Sequence, residues 1–476
     1  MDLPHIPALR LGRAYESLDK IDARDHRNGE PVAAVSQVNA GIIRRDLARS
    51  EASRAVLKEF TCAQLINMCA QAAELFMNST LPFGNKGHTQ SPQQYIETLS
   101  STSGLPYALV RRNMVRIGTV LFQMETILRG LTRGLDLSIL DRGFGEQGGI
   151  PVSYFATTNS LGVVMPSNSP GVNSLWLPAI ALKIPVVLKP GREEPITPWR
   201  LIQSFVAAGV PVEAFGFYPT EHEGAEEILR LCGCAQLFGD KTTTDRYAGD
   251  PRIEIHGPGY SKILIGPDEI ERWPDYLDIM VDSISQNGGR SCLNASVIAV
   301  PAHADEIADS LAERLGPLEP HRIDNENAVL AAFANSKVAE FINAAIDEGL
   351  QTSGAEEVTA KYRSGPRLVT FDGAVYLRPT IVRCESPAHP LAIREFLFPY
   401  ASVLELPESK MVESIGPSLV VTAITRDERV IEQLLASPDV ERLNIGPLST
   451  MQVAWDQPHE GNLFELLYKR RAIQQL

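Results

Sequence analysis

Two kinds of hydrophobic pattern divide the chain. Over residues 40–137, apolar side chains recur at spacings of three and four positions, most regularly over 50–59 and 62–76, which predicts amphipathic helices. Two further helical stretches over 95–131 are separated by a Ser-Gly-Leu-Pro sequence that begins at residue 103. Residues 1–34 are polar and contain proline, so we predict that they form a surface arm.

At residue 161 the pattern changes, and short apolar runs begin to alternate with helical stretches. Strands are predicted at 161–166, 185–189, 214–218 and 234–238, and the helical stretches between them end at 182 or cover 196–208 and 221–231. This alternation predicts βαβ units on a parallel sheet, which binds ligands beyond the carboxyl ends of its strands. A second cycle begins at 262 and includes helices at 304–315 and 327–347. The predicted fold class is therefore a two-domain α/β protein.

Composition and charge narrow the class of protein. The 476 residues are 44% hydrophobic and 21% charged, which is typical of a globular protein. The net charge of −14 disfavours binding to nucleic acid or to anionic membranes. Six scattered cysteines do not form a disulfide framework, and we find neither a secretory signal nor a membrane span, so we predict a cytoplasmic protein. Cys232 and Cys234 lack partners at ligand spacing, so no metal site is predicted.

The most informative segment surrounds Cys292, which follows two glycines and an arginine ahead of an apolar strand. Backbone N–H groups and cations near a cysteine lower its pKa, and the thiolate is a strong nucleophile. Alternatively, Cys292 is a small buried hydrophobic residue, as free cysteines usually are.

Polar residues at predicted strand ends could assist such a nucleophile. Glu254 lies 38 positions before Cys292 and could activate water as a general base, although a single glutamate at a strand end is more often a surface residue. His256 is interpreted as structural. Asn168 follows the strand at 161–166 and could donate a hydrogen bond to an oxyanion, or simply stabilise a turn. Lys189 ends the next strand, where its ammonium could reach a ribose or phosphate of a cofactor.

In their order along the chain, these segments resemble motifs of the aldehyde dehydrogenase superfamily. The match covers about residues 160–406, roughly half of the chain, and identifies a divergent member. The motifs are Pro-x-Asn-x-Pro at 166–170, Val-x-Lys-Pro at 187–190, Glu-x-x-Gly at 254–257, the nucleophile element at 289–292, a Pro-Thr strand near Tyr376, and Glu-Phe-Leu-Phe-Pro at 395–399.

This resemblance implies a role for each matching residue. Cys292 would attack an aldehyde carbon, the Asn168 amide would hold the oxyanion, and Glu254 would activate the water that hydrolyses the thioester. The cofactor, NAD or NADP, would be bound by Pro166, Ser167, Lys189, Arg192, Lys241, Thr242 and Glu395.

Domain boundaries also follow from the resemblance. Residues 1–137 would be the helical part of the cofactor-binding domain, 138–160 a bridging hairpin, and 161–255 the Rossmann-type part. Residues 256–445 would form the catalytic domain, and 446–476 a C-terminal segment. The hairpin and the C-terminal segment are where we expect subunits of a homodimer or homotetramer to meet.

Several positions depart from the family pattern. Asp240 precedes Lys241 and Thr242 where a diphosphate would bind, and its charge would repel that group. Arg192 occupies the position of a glutamate in many NAD-using relatives, and a guanidinium there favours the 2′-phosphate of NADP. Phe398 replaces a glycine, which should narrow the space near the nicotinamide. His459 and Glu460 are interpreted as the first turn of a C-terminal helix.

Three functions remain open from the sequence. The first is a hydrolytic NAD(P)-dependent aldehyde dehydrogenase, which Glu254 favours. The second is an acyl-CoA reductase of the same fold, because residues 91–112 have some similarity to fatty acyl-CoA reductases, and CoA would then be a further substrate. The third, a catalytically silent member, is disfavoured because Cys292, Glu254, Asn168 and Lys189 are all present.

Overall fold

The N-terminal residues form strands and not a surface arm. The computed structural model describes residues 3–85 and 87–474. It begins with β1 (His5–Ile6), β2 (Ala8–Arg10), β3 (Arg13–Tyr15), β4 (Lys20–Arg24) and β5 (Pro31–Ser36). Ile6, Ala8 and Ala33 are fully buried, because β5 pairs with β1 and β4 while β2 pairs with a strand more than 200 residues away. The prediction of an arm was wrong since strands this short have no hydrophobic period of their own.

The helical region that the sequence predicts is present. Its helices are α1 (Ala40–Leu47), α2 (Glu51–Lys58), α3 (Cys62–Asn78), α4 (Pro92–Ser103), α5 (Tyr107–Phe122), α6 (Met124–Leu131) and α7 (Ser138–Arg142). A small pair, β6 (Leu81–Pro82) and β7 (Thr89–Gln90), separates α3 from α4. The predicted break falls between α4 and α5, where Gly104 adopts a left-handed conformation that ends α4.

Next in the chain is the predicted hairpin, which is formed by β8 (Phe144–Gln147) and β9 (Ile150–Ala156). It leads into a parallel sheet of alternating strands and helices. These are β10 (Leu161–Val164), α8 (Leu177–Ala181), β11 (Val186–Lys189), α9 (Ile196–Ala207), β12 (Phe215–Phe217), α10 (His222–Leu231), β13 (Cys234–Phe238), α11 (Lys241–Thr244) and β14 (Ile253–His256).

The order of strands in this first large sheet is β14-β13-β10-β11-β12-β2-β3, and β10 to β14 are mutually parallel. Because every crossover passes through a helix, both faces of the sheet are covered and the strands are almost wholly apolar and buried. The order reverses beside β10, which makes the carboxyl ends of β10, β11 and β13 the expected place for a ligand.

A second large sheet follows, with the order β17-β20-β21-β16-β15-β22-β23. Its elements are β15 (Lys262–Ile265), α12 (Leu277–Ser285), β16 (Val297–Val300), α13 (Ala304–Leu315), α14 (Ser336–Gly349), β17 (Ala355–Glu357), β18 (Leu368–Phe371), β19 (Ala374–Leu377), β20 (Thr380–Cys384), β21 (Tyr400–Glu405), α15 (Met411–Ile415), β22 (Ser418–Ile424), α16 (Glu428–Ala436) and β23 (Val440–Ile445). The helix predicted at 327–347 begins only at Ser336, because Phe333 is extended and its N–H donates to Val375.

The chain then returns to the first half of the molecule. Helix α17 (Leu463–Leu467) begins after the side-chain cap of Asn462 and leads directly into β24 (Tyr468–Arg471), which pairs antiparallel with β9. The helix predicted to start near His459 therefore begins later, at Leu463. Among the described helices, none combines the length and the hydrophobicity needed to cross a membrane.

Candidate active site

A cavity of about 940 Å³ brings most of the predicted site residues together. Its walls come from the carboxyl edge of the first sheet, from α5, from the loop before Cys292 and from the C-terminal loop at 453–463. The predicted residues that line it are Pro166, Ser167, Asn168, Lys241, Thr242, Glu254, Cys292 and Glu395. Lys189 and Arg192 lie outside its lining in the part of the chain that the structure describes.

A tight loop presents Cys292 after α12. Asn287, Gly288 and Gly289 all have positive φ, with values of 56°, 66° and 69°. Glycine is required at 289 for two reasons. Its positive φ is unfavourable for residues with a side chain, and a Cβ there would overlap the backbone of Phe398. Asn294 braces the loop, because its side chain accepts from the N–H of Ser291 at 2.9 Å and donates to main-chain carbonyls at the end of α12.

The thiol of Cys292 is partly buried against the apolar side chains of Leu293 and Leu419. Burial raises its pKa, the carboxylates of Glu460 and Glu395 raise it further, and the guanidinium of Arg116 opposes them. The side chain is therefore a protonated thiol at neutral pH in this state. It needs a base or an added positive charge to become a nucleophile.

Asn168 lies beside the loop that carries Cys292. Its Nδ2 donates to the carbonyl oxygen of Arg290, two residues before Cys292, at 2.9 Å. A primary amide has two N–H groups, so one of them remains for an oxyanion. The role of Asn168 in holding that oxyanion stays a prediction.

Glu254 belongs to a buried network at the ends of β13 and β14. The register of these strands places Gln236 opposite Glu254 and Phe238 opposite His256. Glu254 Oε1 accepts from Gln236 Nε2 at 2.9 Å and from His256 Nε2 at 3.0 Å. The His256 ring also donates from Nδ1 to Glu460 Oε2 at 2.5 Å and stacks on Phe238 with centroids 4.3 Å apart.

His256 is thus an imidazolium between two carboxylates. Burial alone would lower its pKa, but the charges and hydrogen bonds of Glu460 and Glu254 prevail and raise the pKa to about 10. The interpretation of His256 as structural did not anticipate this arrangement, and neither did the assignment of Glu460 to a helix. Glu254 Oε2 makes no hydrogen bond within the described residues and faces Gly461, where a Cβ would lie 2.6 Å away.

A second group of basic residues lines or adjoins the same cavity. Arg116 projects from α5 into the cavity, and His459 lines it from the C-terminal loop. Arg442, on the edge strand β23, donates from Nη1 to His459 Nδ1 at 2.8 Å. The pKa of His459 is lowered well below its ordinary value by burial and by the nearby charges of Arg442, His256 and Arg116, so the ring is neutral. The sequence carries no local signal for this group, because Arg116 lies more than 300 residues before Arg442 and His459.

Around Lys189 the residues fit a nicotinamide cofactor. Lys189 ends β11 opposite Val164, and burial lowers the pKa of its ammonium, although Glu221 and Glu193 partly offset this. Its Nζ has no hydrogen-bond acceptor within residues 3–85 and 87–474, which suits a ribose hydroxyl. Nearby, Ser167 Oγ accepts from the N–H of Glu193 at 3.2 Å and joins the loops after β10 and β11.

At α11 the fit is poorer. This helix has four residues, and the carboxylate of Asp240 already caps it by accepting from the N–H of Thr243 at 2.8 Å. The pKa of Asp240 is lowered chiefly by its hydrogen bond from the main chain of Thr243. The carboxylate of Asp240 therefore occupies the place expected for a diphosphate. Lys241 is exposed and lies 3.6 Å from Asp245.

Glu395 is partly buried, and its carboxylate is held by the main chain. Its Oε2 accepts from the N–H of Tyr260 at 2.7 Å, and burial raises its pKa to about 7. Phe398 does not narrow the cavity as expected, since it is buried in the core of the second sheet, and Phe396 and Leu397 line the cavity instead. Within the described residues, no cluster of three or more His, Cys, Asp or Glu side chains could hold a metal ion.

Comparison with known proteins decides the family. Residues 155–415, more than half of the chain, match the model of the aldehyde dehydrogenase family. The chain belongs to the aldehyde dehydrogenase family. The recognition from the sequence motifs and the predicted fold class are thereby confirmed.

Individual relatives of this aldehyde dehydrogenase family member are distant. An aspartate-semialdehyde dehydrogenase (non-phosphorylating) of Halomonas elongata is 24% identical over 272 residues, 54% of this chain and 53% of that protein. An aminoacetaldehyde dehydrogenase of Pseudomonas aeruginosa is 26% identical over 268 residues, 51% of this chain and 49% of that protein. The alignments therefore span about half the length of these curated relatives.

The likeness in structure extends further than the likeness in sequence. An indole-3-acetaldehyde dehydrogenase in complex with NAD⁺ superposes with a TM-score of 0.78 at 16% identity, covering 99% of this chain and 96% of that chain. The shared fold therefore includes the N-terminal strands and the C-terminal segment that the family model does not match.

Proposed function

We propose that this protein oxidises an aldehyde to a carboxylate with NAD(P) as the oxidant. The observation that carries the proposal is the convergence of one thiol, one amide and two partly buried carboxylates on a single cavity: Cys292, Asn168, Glu254 and Glu395. These groups come from four separate segments, and their meeting supports the roles that the family resemblance implies. The names of the relatives, which are dehydrogenases of aldehydes, point the same way.

In the proposed reaction, Cys292 Sγ releases its proton to solvent and forms a bond to the aldehyde carbon. The second N–H of Asn168 and a main-chain N–H near Cys292 hold the oxyanion that results. A bound nicotinamide cofactor supplies the hydride acceptor. When the oxyanion collapses, Cys292 carries the acyl group as a thioester, and Glu254 Oε2 takes a proton from the water that attacks it. The products are the carboxylate and the free thiol.

We expect Lys189 to bind one ribose of the cofactor and Glu395 the other, with Pro166 and Ser167 as further contacts. Arg192 is exposed and close enough to Lys189 to lower its pKa, so it could meet a 2′-phosphate, which favours NADP. Lys241 and Thr242 at the rim remain the expected diphosphate contacts, although Asp240 disfavours that position.

A CoA-acylating reaction is the second candidate because Glu254 is already engaged. Its Oε1 carries two hydrogen bonds, one of them from the imidazolium of His256. If this network were purely structural, the thioester would pass to the thiol of CoA and no activated water would be needed.

The variant Glu254→Gln tests which reaction operates. Under hydrolysis, it should keep the first burst of reduced cofactor, equal to one per active site, and slow the steady rate by about 10²-fold or more. The matched control is Glu223→Gln, which changes an exposed glutamate in the first turn of α10. An unchanged steady rate in Glu254→Gln, or turnover only when CoA is added, would contradict hydrolysis.

The aldehyde is the expected small-molecule partner, and a homodimer or homotetramer is the expected assembly. The hairpin supports the second expectation, because Phe144 and Ile150 are 46% and 58% exposed there. Cytoplasmic location stays a prediction from the sequence.

A further inference from the structure

An unpaired positive charge lies in the wall of the active-site cavity. Arg116 lines the cavity from α5, next to Asn113 one turn earlier and Val120 one turn later. In the described part of the chain its guanidinium meets no carboxylate and no hydrogen-bond acceptor, whereas Arg111 on the same helix pairs with Glu326. A partly buried guanidinium normally has a hydrogen-bonding or anionic partner, so this one is available to a ligand.

The carboxylates of the cavity do not neutralise it. Glu254 and Glu460 are both committed to the imidazolium of His256, and Glu395 is held by the main chain at Tyr260. Within the described residues none of these carboxylates pairs with Arg116, so the end of the cavity that carries Arg116 offers an unpaired positive charge, although Glu460 and Glu395 act on Cys292 in the opposite direction.

His459 adds a directed hydrogen-bond donor to this positive end. Its ring is neutral and its Nδ1 accepts from Arg442, so its proton must reside on Nε2. Arg442 has no carboxylate partner in the residues described and fixes this tautomer. The cavity is therefore lined by a charged hydrogen-bond donor, the guanidinium of Arg116, and by a neutral one, the Nε2–H of His459.

We propose that the aldehyde substrate carries an anionic group, a carboxylate or a phosphate, which Arg116 and the Nε2–H of His459 bind while Cys292 attacks the aldehyde carbon. This inference rests on the proposed function. Arg116, His459 and Cys292 line the same cavity, so one small substrate can meet the anion-binding groups and the thiol together. Arg442 is a positioning residue, since it acts through His459.

Binding measured without turnover tests the anion site itself. Titration calorimetry with succinate, inorganic phosphate and uncharged succinamide should detect binding of an anion by the wild-type protein and not of succinamide. Arg116→Met should weaken that binding by about tenfold or more, which is about 1.4 kcal/mol. Arg112→Gln is the matched control, because Arg112 lies on the same helix but is exposed. Equal binding by Arg116→Met and the wild type would overturn the proposal.

Kinetics with matched aldehydes then tests the link to the substrate. Succinate semialdehyde against butanal, and glyceraldehyde 3-phosphate against glyceraldehyde, distinguish a carboxylate from a phosphate. We expect kcat/KM for one anionic aldehyde to exceed that of its neutral partner by about tenfold or more, and Arg116→Met to remove that preference. An equal loss with charged and neutral aldehydes would assign Arg116 to the thiol of Cys292 and overturn the proposal.

Two further results keep these conclusions separate. If Arg116→Met does not fold, the preference of the wild-type enzyme within each pair still decides the question. If succinate or phosphate binds through Arg116 but no aldehyde is oxidised, the proposed function fails and the anion site stands.

Discussion

The buried imidazolium of His256 makes a quantitative prediction about stability and pH. Its pKa is about 10 in the folded protein because Glu460 and Glu254 outweigh the cost of burial, against an ordinary value of 6.5 in the unfolded chain. Below pH 6.5 both states bind the proton and the stabilisation is complete. As the pH rises through 10 the folded state also loses the proton, and the stabilisation disappears.

The magnitude follows from counting protons. Between these two values the folded state holds one more proton than the unfolded state, so the free energy of unfolding falls by about 1.4 kcal/mol per pH unit through this group. From about pH 7 to about pH 9 the loss is therefore about 3 kcal/mol. Other titrating groups contribute as well, so the prediction concerns the difference between the wild type and a variant.

The variant is His256→Gln, which keeps a hydrogen-bond donor for one carboxylate and removes the titration. Urea-induced unfolding at several pH values should give a wild-type slope steeper than that of the variant by about 1.4 kcal/mol per pH unit. His222→Gln, at the exposed start of α10, is the control and should keep the wild-type slope. Parallel slopes for the wild type and His256→Gln would refute the assignment of His256 as a buried cation.

Two other predictions concern the loop and the cofactor. Gly289→Ala should lower the free energy of unfolding by more than about 2 kcal/mol and abolish turnover, because it combines a positive φ with overlap of Phe398. Gly148 also has a positive φ but open space around it, so Gly148→Ala should lower the free energy of unfolding only by the cost of the backbone conformation. Equal losses in the two variants would show that Phe398 does not restrict residue 289. Arg192→Glu should reduce the ratio of kcat/KM with NADP to that with NAD by about tenfold or more. An unchanged ratio would mean that Arg192 does not contact the 2′-phosphate.

The parallel sheets and the nucleophile loop could be predicted because their signals are local. Short continuous apolar runs such as the one before Lys189, alternating with helical stretches, are typical of strands buried on both faces. Cys292, Asn168 and Glu254 occur in short motifs whose order along the chain is informative by itself. The structure places all three on one cavity.

The elements that were missed depend on distant partners. The strands before Ser36 are too short to show a period, and they exist because β2 pairs with β12 and β5 with β1 and β4. Glu460 becomes the partner of His256 only when the C-terminal loop folds back over β14. No spacing in the sequence relates Arg116 to His459, because tertiary packing alone brings α5 and this loop to the same cavity.

The central claim is that Cys292 forms a covalent acyl intermediate during oxidation of an aldehyde. The most direct measurement is intact-protein mass spectrometry of Glu254→Gln after it is mixed with an aldehyde and NAD or NADP, with the Cys292→Ala form of the same variant as the control. The account predicts one added acyl group per chain, located on Cys292 and absent from the control. Reduction of the cofactor by the Cys292→Ala protein, or an acyl group on another residue, would contradict it.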